Sequence, residues 1–237
     1  MKNYLPFIAL LFIVFIVSCK KEEATKPKVT YESTPKVKPE VVVDTNQILI
    51  ADLPINMEET NYLIYPIGVV SGIVKGLKSG SDTEGNFTIS NYGEYQITGY
   101  LKNLKFQEIG KDTIYALTNK QVLIETATYL KAFADKTKQK LMLYSLADMD
   151  TNKDGRLDSS DIKSLYISTI SGQKFTKLSS DFQEVIDWKV IESKNLLLFR
   201  TIEDSNKNGE FGTDDKLQYY YVNLLNNDWK VTSYKPI

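Results

Sequence analysis

Asp150-Thr151-Asn152-Lys153-Asp154-Gly155-Arg156-Leu157-Asp158-Ser159-Ser160-Asp161 and Asp204-Ser205-Asn206-Lys207-Asn208-Gly209-Glu210-Phe211-Gly212-Thr213-Asp214-Asp215 are two renderings of one pattern. An offset of 54 residues lays Asp150 on Asp204, Asn152 on Asn206, Asp154 on Asn208, Gly155 on Gly209 and Asp161 on Asp215. The same offset places Tyr166, within LYIS, on Tyr220, within YYVN. Short apolar runs flank each stretch. The repeated unit therefore reads as strand, strand ending in Asp, acidic loop, strand containing Tyr, final strand.

Outward from these loops, apolar runs rich in Val, Ile, Leu and Tyr alternate with Gly, Asn, Asp and Lys, which is strand-and-turn punctuation. Strands are expected at 47–52, 62–70, 95–100, 104–109, 113–117, 121–126, 140–146, 164–169, 174–178, 185–191, 195–202, 216–224 and 229–234. The Ala-, Lys- and Leu-rich stretch 129–143 has a helix as its alternative. Leu196-Leu197-Leu198-Phe199 is apolar on both faces, so cover on both sides is expected, as inside a stack of sheets. The fold class is all-β: repeated four-stranded, blade-like meanders over residues 45–237, with the acidic loops between strands. The rhythm Leu165-Tyr166-Ile167-Ser168, Gly172, Leu178-Ser179 resembles that of Tol-associated β-propeller repeats. A fainter unit ends in Ile114-Tyr115-Ala116-Leu117-Thr118. Three units are too few for an ordinary closed propeller. The resemblance therefore implies either a further blade in 71–99 or an open, curved stack.

Calcium takes six to eight hard oxygen ligands, and a twelve-residue loop supplies them from positions 1, 3, 5, 7, 9 and 12. In the first loop these are Asp150, Asn152, Asp154, the carbonyl of Arg156, Asp158 and Asp161, with Gly155 at the sharp turn and Leu157 as the apolar anchor. The pattern resembles the EF-hand loop, with Asp161 where that family has Glu, and also the blade-hairpin calcium loops of integrin propellers. Strand-like flanks favour the second likeness over EF-hand helices or the closely spaced repeats of a dockerin. The second loop offers Asp204, Asn206, Asn208, the carbonyl of Glu210 and Asp215, with Asp214 as a further acid and Gly212 at position 9. Fewer carboxylates make it the weaker site, or no site at all. Calcium is the expected cofactor.

At the amino terminus, Lys2 precedes an apolar stretch from Leu5 to Val17, too short for a stable membrane span but suited to a secretory signal. It ends Ile16-Val17-Ser18-Cys19, which resembles the bacterial lipobox, so residues 1–18 read as a lipoprotein signal peptide and Cys19 as the lipidated residue. Lys20-Lys21-Glu22-Glu23 resembles the export tag of surface lipoproteins in Bacteroidota-type bacteria. These resemblances imply an outer-membrane, surface-exposed protein held to the membrane by its lipid. Residues 19–44, with Pro27, Pro35, Pro39 and alternating charge, read as a disordered tether.

Composition removes several function classes. The chain of 237 residues has 29 Lys+Arg, 30 Asp+Glu, no His and one Cys. Its near-neutral charge gives no electrostatic reason for a nucleic-acid partner. Without histidine there is no Ser-His-Asp or Cys-His catalysis. A single cysteine permits no internal disulfide and no Cys-based zinc site. Ser160-Asp161-Ile162-Lys163 and Ser171-Gly172-Gln173-Lys174 match S-x-x-K, as expected by chance in a chain with this much Ser and Lys. No residue is assigned a catalytic role. The expected function is a binding or scaffolding role in the cell envelope, with an envelope protein or a glycan as partner. The alternatives are an extracytoplasmic glycan-active hydrolase and an accessory subunit of an outer-membrane uptake or secretion complex.

Overall fold

The computed structural model describes residues 26–31, 48–70 and 88–237. The signal peptide, Cys19 and the export tag lie outside the described residues, as does most of 71–99. In chain order the elements are β1 (Ile48–Ala51), β2 (Ile55–Asn56), β3 (Tyr62–Val70), β4 (Ser90–Gly93), β5 (Gln96–Leu101), β6 (Asn103–Glu108), β7 (Ile114–Ala116) and β8 (Leu123–Tyr129). Then follow α1 (Lys131–Thr137), β9 (Leu141–Ala147), β10 (Ser164–Thr169), β11 (Thr176–Lys177), β12 (Gln183–Ile191), β13 (Leu196–Glu203), β14 (Lys216–Asn223) and β15 (Val231–Ser233). Of the described residues 48% lie in strands and 4% in helix, so they are all-β, built of curled antiparallel sheets. Among the described residues no helix is long and apolar enough to cross a membrane.

Every run expected to be a strand contains one; β2 and the hairpin strand β4 were not expected, being very short or polar. Of the two units of the repeat, only the second is a four-stranded sheet by itself; the first lies within a six-stranded one. The middle sheet has the order β11-β10-β9-β8-β5-β4 and the third β12-β13-β14-β15, so β8–β11 and β12–β15 are successive meanders. Each acidic loop joins the second strand of its meander to the third. The fainter N-terminal unit is a correction: β3 pairs with β6 across the sequence, and the hairpin β4–β5 between them joins the middle sheet instead. The first sheet, β1-β3-β6-β7 with β2 beside β3, is therefore not a sequential meander. What is described of 71–99 extends the middle sheet and forms no separate blade.

Two cores separate the three sheets, and β9 faces both. Met142 and Tyr144 enter the first core, with Ile64, Phe106 and Ile97. Leu141 and Leu143 enter the second, with Leu197, Phe199 and Val222. A strand's side chains alternate between faces, so Leu141-Met142-Leu143-Tyr144 is apolar throughout because both of its faces are covered. The two-sided cover expected for Leu196-Leu197-Leu198-Phe199 is corrected accordingly. Leu197 and Phe199 are buried while Leu196 and Leu198 are only half-buried, since β13 belongs to an outer sheet. Met142→Ala and Leu143→Ala should each cost about 2–5 kcal/mol, measured by denaturant unfolding. A fold with one core would leave one of these neighbours exposed and its substitution near neutral.

The 129–143 stretch resolves into strand, helix, strand. Ala132, Ala134 and an i,i+4 Lys131–Asp135 pair favour α1. Lys138, at φ 64°, ends it by donating its N–H to the Ala134 carbonyl. Phe133 enters the second core and Ala134 the first, so this short helix closes the end of both.

Candidate functional site: the paired acidic loops

Loop one leaves β9 and returns in β10, with Leu146 opposite Ser164 at the base. Its turns are made by its own side chains. Asp150 Oδ2 accepts the Gly155 N–H at 2.9 Å, Asn152 Oδ1 the Asp154 N–H at 2.9 Å, and Asp154 Oδ1 the Arg156 N–H at 2.8 Å. Lys153 and Gly155 have φ of 61° and 82°. Loop two repeats this geometry. Asp204 Oδ2 accepts from Gly209 at 2.8 Å, Asn206 Oδ1 from Asn208 at 2.9 Å, and Asn208 Oδ1 from Glu210 at 2.8 Å. Lys207 and Gly209 have φ of 57° and 84°. The 54-residue repeat is thus one of backbone conformation as well as of sequence.

The position-12 acids close the loops. Asp161, fully buried, accepts from the N–H of Thr151 at 2.7 Å on Oδ1 and of Asp158 at 3.0 Å on Oδ2. Asp215 accepts from Ser205 at 2.9 Å and Gly212 at 2.8 Å in the equivalent way. Burial raises the pKa of Asp161 above the usual carboxylate value, more than these N–H donors lower it, and Asp150 adds to the rise. Asp158 accepts the Ser160 N–H at 2.8 Å in a local turn. Glu210 turns its carboxylate to Lys28 Nζ at 3.1 Å, while Asp214 and Arg156 are exposed.

Within loop one Asn152 Nδ2 also donates to Asp154 Oδ2 at 3.4 Å, while Asp150, Asp204, Asn206 and Asn208 each accept a backbone N–H of their own loop. Among the described residues no three or more His, Cys, Asp or Glu side chains are grouped to hold a metal. Positions 1, 3 and 5 supply at most two acids per loop, and the position-12 acids face backbone N–H groups. Among the described residues two side-chain oxygens, Asp150 Oδ1 and Asn195 Oδ1, are buried without a hydrogen-bond partner, and of the two only Asp150 lies in an acidic loop. A buried carboxylate oxygen in that state is costly unless a cation or another donor reaches it, so the donor set of loop one fits a hard cation.

Two features around the loops were not anticipated from sequence. The first is the position-2 hydroxyl. Thr151 Oγ1 accepts the Ile162 N–H at 3.0 Å, and Ser205 Oγ accepts the Lys216 N–H at 3.2 Å, again 54 residues on. The shared hydroxyl type at Thr151 and Ser205 was the signal available. The second is a strap. Residues 26–31, inside the stretch read as tether, lie against both loops, with Val29 only 4% exposed. Tyr31 sits beside Asp204; burial, then Asp204, Asp215 and Glu203, push its hydroxyl up to about 12.

Neighbouring groups hold loop one to the body. Asp148, just before it, accepts from Lys177 Nζ at 2.7 Å, Tyr166 at 2.7 Å and Ser164 at 3.0 Å. Burial raises its pKa, but these donors outweigh that and hold it below the usual range. On the far side Glu184 of β12 accepts the Lys163 N–H at 2.6 Å and pairs with Lys163 Nζ at 3.1 Å. Burial nevertheless holds the Glu184 carboxyl above its ordinary value.

A groove of about 590 Å³ between α1 and β12 is lined by Tyr95, Tyr129, Trp188, Asp135 and Glu192, among others. It combines aromatic faces with acids, but Lys131 holds Asp135 at 2.5 Å.

Comparison of the chain with family models, with curated proteins and with solved structures gives no match.

Proposed function

We propose that this chain is a calcium-binding, lipid-anchored protein of the cell envelope with a binding or scaffolding role and no catalytic one. The observation that carries the calcium reading is the buried, partnerless Oδ1 of Asp150 inside a loop that already presents Asn152 and Asp154. The recurrence of the same turn geometry 54 residues later supports a second, weaker site at Asp204, Asn206 and Asn208. The ion would bind Asp150, Asn152 and Asp154 and supply charge neutralisation at the loop. The residues would fix the turns by their bonds to backbone N–H groups. Two successive meanders, each with its acidic loop in the same place, support the blade-like description of the units. The lipobox at Cys19 supports the anchor and the outer-membrane location.

Thermal unfolding of the full-length chain, with calcium titrated against EDTA and magnesium, tests the cofactor. A saturable rise in midpoint with calcium is expected, and a smaller one with magnesium, which demands stricter octahedral geometry. An unresponsive midpoint would return the loops to ordinary turns. Separately, Cys19→Ala should shift the protein from the membrane to the soluble fraction on cell fractionation and abolish lipid labelling; retention in the membrane would refute the anchor.

The groove at Trp188, with its aromatic faces and acids, is the place among the described residues that favours a glycan-active reading. Its test is turnover of a glycan panel, lost in Glu192→Gln.

A further inference from the structure

Residues 28–30 are bonded to both acidic loops at once. Lys28 N–H donates to the Ser160 carbonyl at 3.0 Å and Thr30 N–H to the Thr151 carbonyl at 2.8 Å, both in loop one. Between them, Val29 N–H donates to the Gly209 carbonyl of loop two at 2.9 Å. The loops bond back: Thr151 Oγ1 donates to the Lys28 carbonyl at 2.9 Å. The Thr30 hydroxyl donates to the Asn152 carbonyl at 2.8 Å, and Lys28 forms an antiparallel bridge with Glu210. The fit at Gly209 is close, because a Cβ there would lie 2.4 Å from the Val29 carbonyl oxygen. A segment with one buried aliphatic side chain and a few main-chain bonds gains little over the entropy of ordering it. Its docking is therefore sensitive to whether the loop backbone it pairs with is held in place.

We propose that the strap is a latch linked to the ion state of the loops: calcium in the loops holds residues 28–30 docked, and its loss releases them. The inference rests on the calcium reading above. Its physical basis is that the strap's acceptors at Thr151, Asn152 and Gly209 are interleaved with the ligand positions Asp150, Asn152, Asp154 and Asp204, so one backbone serves both. Linkage makes the coupling reciprocal, so a docked strap must raise calcium affinity by the factor by which calcium favours docking. The consequence is one of reach. Lys28 lies nine residue steps along the chain from Cys19, and Ile48 twenty-nine. At about 3.4 Å per extended residue, docking keeps the body within about 30 Å of the anchor and release allows about 100 Å. Calcium outside the cell would set the height of the body above the lipid.

The test is hydrogen exchange at the amides of Lys28, Val29 and Thr30 in the full-length protein, with calcium and with EDTA, beside calcium affinities of the native chain and Val29→Asp. The expected result is exchange at least tenfold slower in calcium, and calcium affinity weaker in Val29→Asp by the same factor. Gly209→Ala should keep the strap exchanging fast at saturating calcium, whereas Gly110→Ala, in the turn between β6 and β7 and away from both loops, should not. Both glycines have a left-handed φ, 84° and 87°, but a Cβ at Gly110 meets nothing within 4 Å. Calcium bound normally, with strap exchange and Val29→Asp affinity unchanged, overturns the latch and leaves the calcium sites standing. Like behaviour of the two glycine variants also overturns it. Failure of the native chain to bind calcium overturns both. Unfolding midpoints in EDTA establish that Val29→Asp leaves the body folded.

Discussion

Phe106→Ala should destabilise the protein by about 3–5 kcal/mol, lowering the unfolding midpoint by roughly 10 °C for a body of this size. Phe106 is fully buried in the core between the first and middle sheets and stacks on Tyr115, with ring centroids 6.2 Å apart. Its ring also lies where a Cβ on Gly172 would have to go, 2.6 Å from the nearest ring carbon. Gly172 has φ 75°, so Gly172→Ala carries a conformational cost of about 1–2 kcal/mol and an overpacking cost of about 1–3 kcal/mol. The two substitutions should therefore not add. In Phe106→Ala the ring is gone, and Gly172→Ala should cost only its conformational part. Denaturant unfolding of the four proteins of this cycle measures the difference. Simple additivity would show that the ring and the Gly172 turn are not in contact.

The second large effect is the calcium response. A ligand that binds only the folded chain stabilises it by about 2.7 kcal/mol per site at a hundredfold excess over its dissociation constant. Asp150→Asn/Asp154→Asn keeps an oxygen acceptor for the Gly155 and Arg156 N–H groups, so the turns of loop one remain possible while its ligand charge disappears. The variant should unfold close to the native midpoint in EDTA and lose most of the rise with calcium. Any residual rise should vanish on adding Asp204→Asn. Asp150→Ala/Asp154→Ala should lose the same rise and also unfold earlier in EDTA, because two loop hydrogen bonds go with the charges. A calcium response equal to the native one in either double variant would remove Asp150 and Asp154 from the site.

The chain's local chemistry was enough to reveal the all-β class, the strands near their true places, and the two loops as one repeated object. Short β-branched and aromatic runs, and Asx residues bonding their own backbone, act over a few residues and so leave a direct trace in sequence. The 54-residue offset between Asp150 and Asp204 even anticipated that both loops join the second and third strands of a meander. Side-chain alternation was legible too, but not which strand had both faces covered. Leu196-Leu197-Leu198-Phe199 and Leu141-Met142-Leu143-Tyr144 are alike as patterns, and only the packing of three sheets places β9 between two cores and β13 outside. Nor was it legible that Asp161 and Asp215 each accept two backbone N–H groups of their own loop, since spacing does not say which amides a carboxylate meets. Least visible was the strap. Lys28, Val29 and Thr30 sit in a proline- and charge-rich stretch with no core-forming pattern, and their partners at Thr151, Ser160 and Gly209 are more than a hundred residues away. Backbone pairing at that distance is written in no local residue preference, so only the tertiary structure could bring tether and loops together.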